Sequence, residues 1–484
     1  MKWAGSSSAQ PFWKKEYPTM KILILNGSPK ADNSITLQHM RFLETREPDI
    51  ETEVIPIGKA INSLERNQQR FDEVTEKMRT ADAVVWSFPV YYALVPSQMK
   101  RFVELLYERK GKGWFAGMYA TALTTSINFF DHTAHNYVQA VCEDLGFAYV
   151  KGYSAHMDDF FKTQEREKLA RFFSWFLKTV QQKTLLPKKY AGNVPEVQVF
   201  EPISAPNRDT SLSSGKDSSG KILLLTDTTD PDTNLWKMIR TFEEETRLQV
   251  DIKDIRDSGM SHGCLGCCTC GYENTCIQKD GFTRFFNDHL KTAEIILICG
   301  SIRDHYLSAL WKQFFDRCFF NGHAPVLQGK QLGFMISGPL RHRQNLRELL
   351  DVFADSWHMK FRGVVTDEAA DSKAVVREIK GFARTLELAR ETDLEFGASF
   401  YRTGGQKLFR DFIFNTTAVF TADHRFYKKS GLYATFPQRQ WQRRLRNAVF
   451  ALMVSIPFLR RQIHREFIPG MVAPYKKKLR RLAR

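Results

Sequence analysis

Five of the eight cysteines fall within thirteen residues: Cys264, Cys267, Cys268, Cys270 and Cys276. With Cys268 set aside, the spacing is C-x2-C-x2-C-x5-C. Four thiolates this close in sequence can wrap one compact metal centre, and Gly263, Gly266 and Gly271 let the loop bend. An iron–sulfur cluster needs four such thiolates. Tetrahedral zinc accepts the same set and is the alternative, with His262 as a further donor. Cys268 is left as a bystander, a substitute ligand or a reactive thiol. Cys142, Cys299 and Cys318 stand in apolar surroundings and read as core residues.

A second group of residues suits an anion. The apolar run at 21–25 leads into Gly27-Ser28-Pro29-Lys30 and then Asn33-Ser34-Ile35-Thr36, where a helical pattern begins. Small polar residues at a helix N-terminus offer N–H groups and hydroxyls, the helix dipole assists, and Lys30 adds a counter-charge. The plain alternative is a strand–turn–helix connection with Ser34 as N-cap. Two more loops follow strands of the same unit. Ser87-Phe88-Pro89-Val90-Tyr91-Tyr92 provides aromatic side chains and backbone for a flat ring, and Thr124-Thr125-Ser126 provides hydroxyls. Ligands of open α/β sheets bind at the carboxyl ends of the strands. The three loops together are suited to the parts of FMN. Asp131-His132 follows; His132 is a candidate proton donor near the ring, or simply part of a helix-start cap.

The elements that must position these loops come in two series. KILIL at 21–25 and KILLL at 221–225 open them, 200 residues apart. In each, an apolar strand (83–86; 295–299), a Lys-bearing amphipathic helix (97–107; 308–319) and a further strand (119–124; 331–337) follow in the same order. This predicts a tandem duplication of an α/β unit with parallel sheets covered on both faces. The expected boundaries are 19–190 for the first unit, 191–219 for a Ser/Gly/Asp/Lys-rich linker, 220–393 for the second unit and 394–484 for a C-terminal extension.

Charge separates the extension from the rest. The chain of 484 residues carries a formal +16. Residues 396–484 hold 19 Lys and Arg against three acids, and the first 395 residues hold 51 of each sign. Any polyanionic partner therefore concerns the extension. Its apolar run 448–459 is flanked by arginines, too short to span a bilayer, and interrupted by Pro457. Basic flanks around an apolar, aromatic-rich segment suit an interfacial helix on an anionic membrane. A helical extension packed on the body with a solvated basic face is the other main reading. Nucleic acid is the weaker rival, since no zinc finger or helix-turn-helix pattern accompanies the bases. The first residues lack the apolar stretch of a signal peptide, and with the clustered cysteines this favours a reducing cytoplasm, at the inner membrane face if the extension binds lipid.

The segments GSPK…NSIT, SFPVYYALVPSQMKRF and ALTTSINFFDHTAHNY resemble the flavodoxin-like NAD(P)H-dependent FMN reductase and iron–sulfur flavoprotein superfamily over most of 20–190. The resemblance implies two flavodoxin-like, doubly wound parallel sheets and a basic, mainly helical extension. It implies phosphate contacts from Ser28, Lys30, Asn33, Ser34 and Thr36. Pro89, Val90, Tyr91 and Tyr92 would lie against the ring, with Thr124, Thr125 and Ser126 as a third wall. Ile35 departs from the small polar residue common in relatives. The cysteine spacing is similar to the motif that holds a [4Fe–4S] cluster in iron–sulfur flavoproteins, also placed after the second strand. By that resemblance the ligands are Cys264, Cys267, Cys270 and Cys276.

The second unit departs from the pattern. Its first loop, Thr226 to Asp232, carries three carboxylates that repel phosphate, and its ring loop, Gly300 to Tyr306, lacks the P-V-Y-Y sequence. The expectation is one FMN in the first unit and one cluster in the second, facing each other in an intramolecular pseudo-dimer, with homo-oligomers left open. The expected activity is an FMN-dependent NAD(P)H oxidoreductase passing electrons to a small-molecule or protein acceptor. The alternatives are a quinone or flavin reductase with structural zinc, and a non-enzymatic electron carrier or redox sensor.

Overall fold

The structure is a computed structural model and describes residues 19–190, 194–202, 217–433 and 441–483. Most of the expected linker, residues 191–193 and 203–216, lies outside the described residues, as does the leader 1–18.

The central strands of both sheets are too apolar to face water. In β1 (Met20–Asn26) only Lys21 is exposed, and in β3 (Ala83–Pro89) six of seven residues are buried. Such continuous burial belongs to a parallel sheet with helices on both faces. The first half also contains α1 (Ile35–Arg46), β2 (Ile50–Ile55), α2 (Ile57–Arg66), α3 (Gln68–Thr80), α4 (Ser97–Arg109), β4 (Tyr119–Ser126), α5 (Asp131–Leu145), β5 (Ala148–Tyr149), β6 (Tyr153–His156) and α6 (Thr163–Gln181). Its sheet runs β2-β1-β3-β4-β5, with β6 also paired to β4, and every pairing is parallel.

The second half repeats the plan. It comprises β7 (Asp217–Thr226), α7 (Asn234–Glu245), β8 (Leu248–Asp254), α8 (Cys270–Glu273), α9 (Phe282–Phe285), β9 (Ile295–Ser301), α10 (Ala309–Arg317), β10 (Gln331–Ser337), α11 (Gln344–Ser356), β11 (Lys360–Thr366) and α12 (Ser372–Glu391). Its order, β8-β7-β9-β10-β11, is again all parallel. The strand order is that of a doubly wound flavodoxin-like sheet. The duplication extends to backbone detail. After β3, Tyr92 and Ala93 take φ of +42° and +58°; after β9, Asp304 and His305 take +38° and +71°. These left-handed pairs close the matching bridges Tyr91–Leu94 and Arg303–Tyr306.

The halves meet across α4 and α10. Ser97 N donates to Asp316 Oδ2 at 2.8 Å, and Ala309 N donates to Glu104 Oε1 at 2.6 Å. Each helix start thus takes its anionic partner from the opposite half, where the orphan N–H groups and dipole favour one. Lys100 and Lys312, both fully buried, hold Glu104 and Asp316 one turn along their own helices. Lys100 also reaches Asp304 at 3.0 Å, and Lys312 donates to the Tyr91 carbonyl at 3.0 Å. One hydrophobic cluster runs continuously from Trp86 and Phe102 to Trp311, Phe315 and Trp357.

The extension is helical: α13 (Phe400–Asn415), α14 (Thr421–Lys429), α15 (Trp441–Ser455) and α16 (Pro457–Leu482). Pro457 opens α16, so the apolar run is divided between two helices. Much of the extension packs on the body. α13 lies on α11, α14 on α8, and α16 on α1, where Val472 and Tyr475 are buried beside Phe160. Among the described residues no helix is long and apolar enough to cross a membrane.

Candidate active site

The carboxyl edge of the first sheet opens into a cavity of about 340 Å³. Lys30, Ser34, Pro89, Val90, Tyr91, Tyr92, Thr125 and Ser126 all line it. So do Cys264, Cys267, Cys268, Cys270 and Cys276 from the opposite half. The cavity is roofed by the extension through Tyr401, Phe409, Phe412, Phe420 and Met471.

The expected phosphate residues divide by side-chain direction. Ser34 caps α1, accepting from Leu37 N at 3.3 Å, and faces the cavity. Lys30 also faces it. Burial lowers its pKa, opposed by nearby Cys268, Cys264 and Cys267. Ser28 is buried in the turn, where its hydroxyl accepts from Lys30 N at 3.3 Å. Asn33 ends a short helical turn without lining the cavity. Thr36 Oγ1 is turned to Thr125 Oγ1 at 2.6 Å.

The third wall is divided. Thr124 turns to the far face and bonds His135 Nε2 at 2.9 Å, whereas Thr125 and Ser126 reach the cavity. His132 does not reach it. Its neighbour Asp131 points inward to Ser126 and Ser154, so His132, one position on along α5, faces outward and pairs with Glu348 at 3.1 Å. No proton-transfer role for His132 follows from this placement.

Tyr91 and Tyr92 join the halves as well as lining the cavity. Tyr92 OH donates to Cys318 O at 3.3 Å and accepts from Trp357 Nε1 at 3.1 Å. Tyr91 OH is buried without a hydrogen-bond partner. It is packed against Gly266 of the cysteine loop.

The cysteine loop passes close to its neighbours. A Cβ on Gly271 would stand 2.8 Å from Phe420 of the extension, so this glycine serves close approach. Cys264 Sγ accepts from Gly266 N at 3.4 Å, and burial pushes the Cys264 and Cys270 thiols up. Burial raises Cys268 to about 11, with Lys30 acting against it. Cys270 Sγ lies 3.1 Å from His323 Nε2, and His323 Nδ1 lies 2.8 Å from Asp423 Oδ2. Sequence reasoning missed both partners. Asp423 had a signal: it is one of three acids in an 89-residue basic segment, and it is buried.

Lys30 and Ser34 at the start of α1 and the Pro89–Tyr92 turn fit FMN in kind: a cation and hydroxyl for the phosphate, apolar and aromatic surface for the ring. The five cysteines line the same cavity. Among the described residues, however, no three His, Cys, Asp or Glu side chains stand in an arrangement that holds a metal ion.

The family model of NADPH-dependent FMN reductase matches residues 20–161 and again 221–371. The chain belongs to the NADPH-dependent FMN reductase family. It carries the reductase unit twice and is an oxidoreductase. Solved structures similar to single halves include the flavoenzyme NAD(P)H:(acceptor) oxidoreductase FerB from Paracoccus denitrificans (17% identity, TM-score 0.27), which covers 33% of this chain and 98% of its own. The apo NADH:FMN oxidoreductase EMOB (18%, 0.29) covers 33% and 90%. An FMN-dependent NADH-azoreductase from Bacillus anthracis in complex with FMN (18%, 0.22) covers 34% and 98%.

Proposed function

We propose that this FMN reductase-family chain binds one FMN, in the first half, and uses NAD(P)H to reduce an acceptor at the same cavity. The observation that carries the reading is the convergence of Lys30, Ser34, the Pro89–Tyr92 turn and Thr125–Ser126 on one cavity at the sheet's carboxyl edge. When bound, FMN accepts a hydride and releases electrons singly. The chain's own residues bind and enclose: Lys30 and the α1 start supply positive potential, and the extension's aromatics exclude water. Among the described residues the second half offers no equivalent anion site. Asp227 occupies the turn after β7, accepts from Ser308 Oγ and is half-buried, so a carboxyl group stands where a phosphate would go.

The finer reading adds a [4Fe–4S] cluster held by Cys264, Cys267, Cys270 and Cys276. Its support is that the five cysteines line the same cavity as the FMN loops. Zinc on the same thiols remains the rival. Anaerobic purification followed by flavin extraction, a visible spectrum and iron, sulfide and zinc analysis tests both levels. One FMN per chain with NAD(P)H turnover is expected. A colourless protein that fails to bind added FMN overturns the flavin assignment. Two FMN per chain overturns its restriction to the first half. Flavin without iron removes the cluster alone.

A further inference from the structure

The extension leaves one helix face unexplained. α15 is held to the body by Val454, which is fully buried in a small cluster with Tyr272 and Ala418, and by Asn447, which donates to the Asn415 carbonyl at 2.7 Å. At 100° per residue, Trp441, Leu445, Val449 and Leu452 lie on the opposite side of the helix. They are 65%, 59%, 55% and 70% exposed. Ile456 and Phe458, at the junction with α16, continue the stripe at 49% and 73%. An apolar stripe aimed directly away from the body is not there to complete the core.

We propose that this face is a docking surface for an anionic lipid bilayer, on which α15 lies flat with its apolar stripe in the headgroup–acyl boundary. Arg444 and Arg446 flank the stripe along α15, and Arg461 and Arg465 continue the positive charge onto α16; all four are exposed. Aromatic and aliphatic side chains between arginines satisfy both halves of an interfacial site: apolar burial and attraction to acidic headgroups. A second copy of the chain is disfavoured by charge, because it would bring one extension of +16 against another. Nucleic acid would engage the arginines and leave the Leu, Val and Phe side chains with nothing apolar to meet. Because the same extension roofs the cavity through α13 and α14, docking would hold the cavity near the lipid surface.

Co-sedimentation of the full-length protein with phosphatidylcholine vesicles, and with vesicles containing about 30% phosphatidylglycerol, tests this. The wild type is expected to bind the anionic vesicles, with binding weakened by high salt and at least about ten-fold weaker on neutral ones. The variant L445E/L452E changes only exposed positions. It is expected to keep the wild-type melting temperature and to lose anionic-vesicle binding by at least about ten-fold. Equal binding by wild type and variant, or no binding to anionic vesicles, overturns the proposal. So does binding to polyglutamate or duplex DNA without binding to vesicles.

Discussion

The Tyr91 hydroxyl lies 1.9 Å from where a Cβ on Gly266 would stand. The turn expected to face the flavin and the loop carrying the cysteines are thus interlocked, each shaped to the other. Gly266 also has φ of +64°, which disfavours any side chain by about 1–2 kcal/mol. Gly266→Ala therefore combines backbone strain with a steric clash, and its melting temperature should fall clearly below wild type. Tyr91→Phe removes a hydroxyl that has no protein partner and should cost little. The double variant should recover some of the steric cost, with the ring carbon still 3.0 Å from the new Cβ, and keep the backbone part. A Gly266→Ala protein as stable as wild type would contradict the interlock.

Ser34 allows capping and anion binding to be separated. Its side chain caps α1, and an N-cap serine replaced by alanine costs about 0.5–2 kcal/mol. Aspartate caps a helix as well as serine but places a negative charge at the proposed phosphate site. Ser34→Asp should keep the wild-type melting temperature in the absence of flavin and weaken FMN binding by at least about ten-fold. Ser34→Ala should do the reverse: lose stability and keep most of the affinity. Fluorescence titration with FMN alongside thermal melts distinguishes the two. Unchanged FMN affinity in Ser34→Asp would move the phosphate elsewhere.

The apolar runs at 21–25 and 221–225 and the repeated series behind them were sufficient to read two parallel α/β units, because a strand buried on both faces has few alternatives. The loops at the sheet edge followed from that topology. Which side chain of each loop turns inward did not. Thr124 and Thr125 are indistinguishable in composition, and only the pleat sends one to His135 and the other to the cavity. The roof was illegible for a different reason. Phe409, Phe412 and Phe420 meet the cavity through contacts hundreds of residues distant in sequence, and their periodicity reports only that some face is buried.

Three histidines tie stability to mild acid. Burial lowers His39, His135 and His358 each to about 4; Lys151 and His132 add to this at His135, and Arg402 adds to it at His358. At His39 the Ile35 carbonyl and Asp159 oppose the shift. The unfolded value is near 6.5. As pH falls from about 6.5 toward 4, the unfolded chain takes up protons that the folded chain refuses, so stability falls. Above 6.5 these groups contribute no slope. The fully buried His39 adds up to about 1.4 kcal/mol per pH unit, and the two less buried ones add less. Melting temperatures between pH 4.5 and 8 should be flat above about 7 and drop below 6. His39→Phe, in a pocket already lined by Phe160 and Tyr475, should make the acid side measurably shallower. An unchanged slope would assign the acid sensitivity to other groups.

The paired ion networks at the junction of the halves are similar in plan but unequal in their partners. Asp316 is fully buried, accepts from Ser97 N and pairs with Lys312. Asp316→Ala leaves the Lys312 ammonium buried with only the Tyr91 carbonyl, and breaking a buried pair in this way costs about 3–5 kcal/mol. Glu104 occupies the matching place opposite Ala309 N, but Lys100 keeps a second carboxylate, Asp304, when Glu104 is removed. Glu104→Ala should therefore cost less than Asp316→Ala. Replacing the pair together, K312M/D316L, removes both buried charges and should recover most of the loss. The recovery should be incomplete, because Ser97 N–H remains unbonded at a cost of about 1–3 kcal/mol. Denaturant unfolding should rank stability as wild type, then Glu104→Ala and K312M/D316L, with Asp316→Ala last. A double variant less stable than Asp316→Ala would show that the pair is needed for more than mutual neutralisation at the junction.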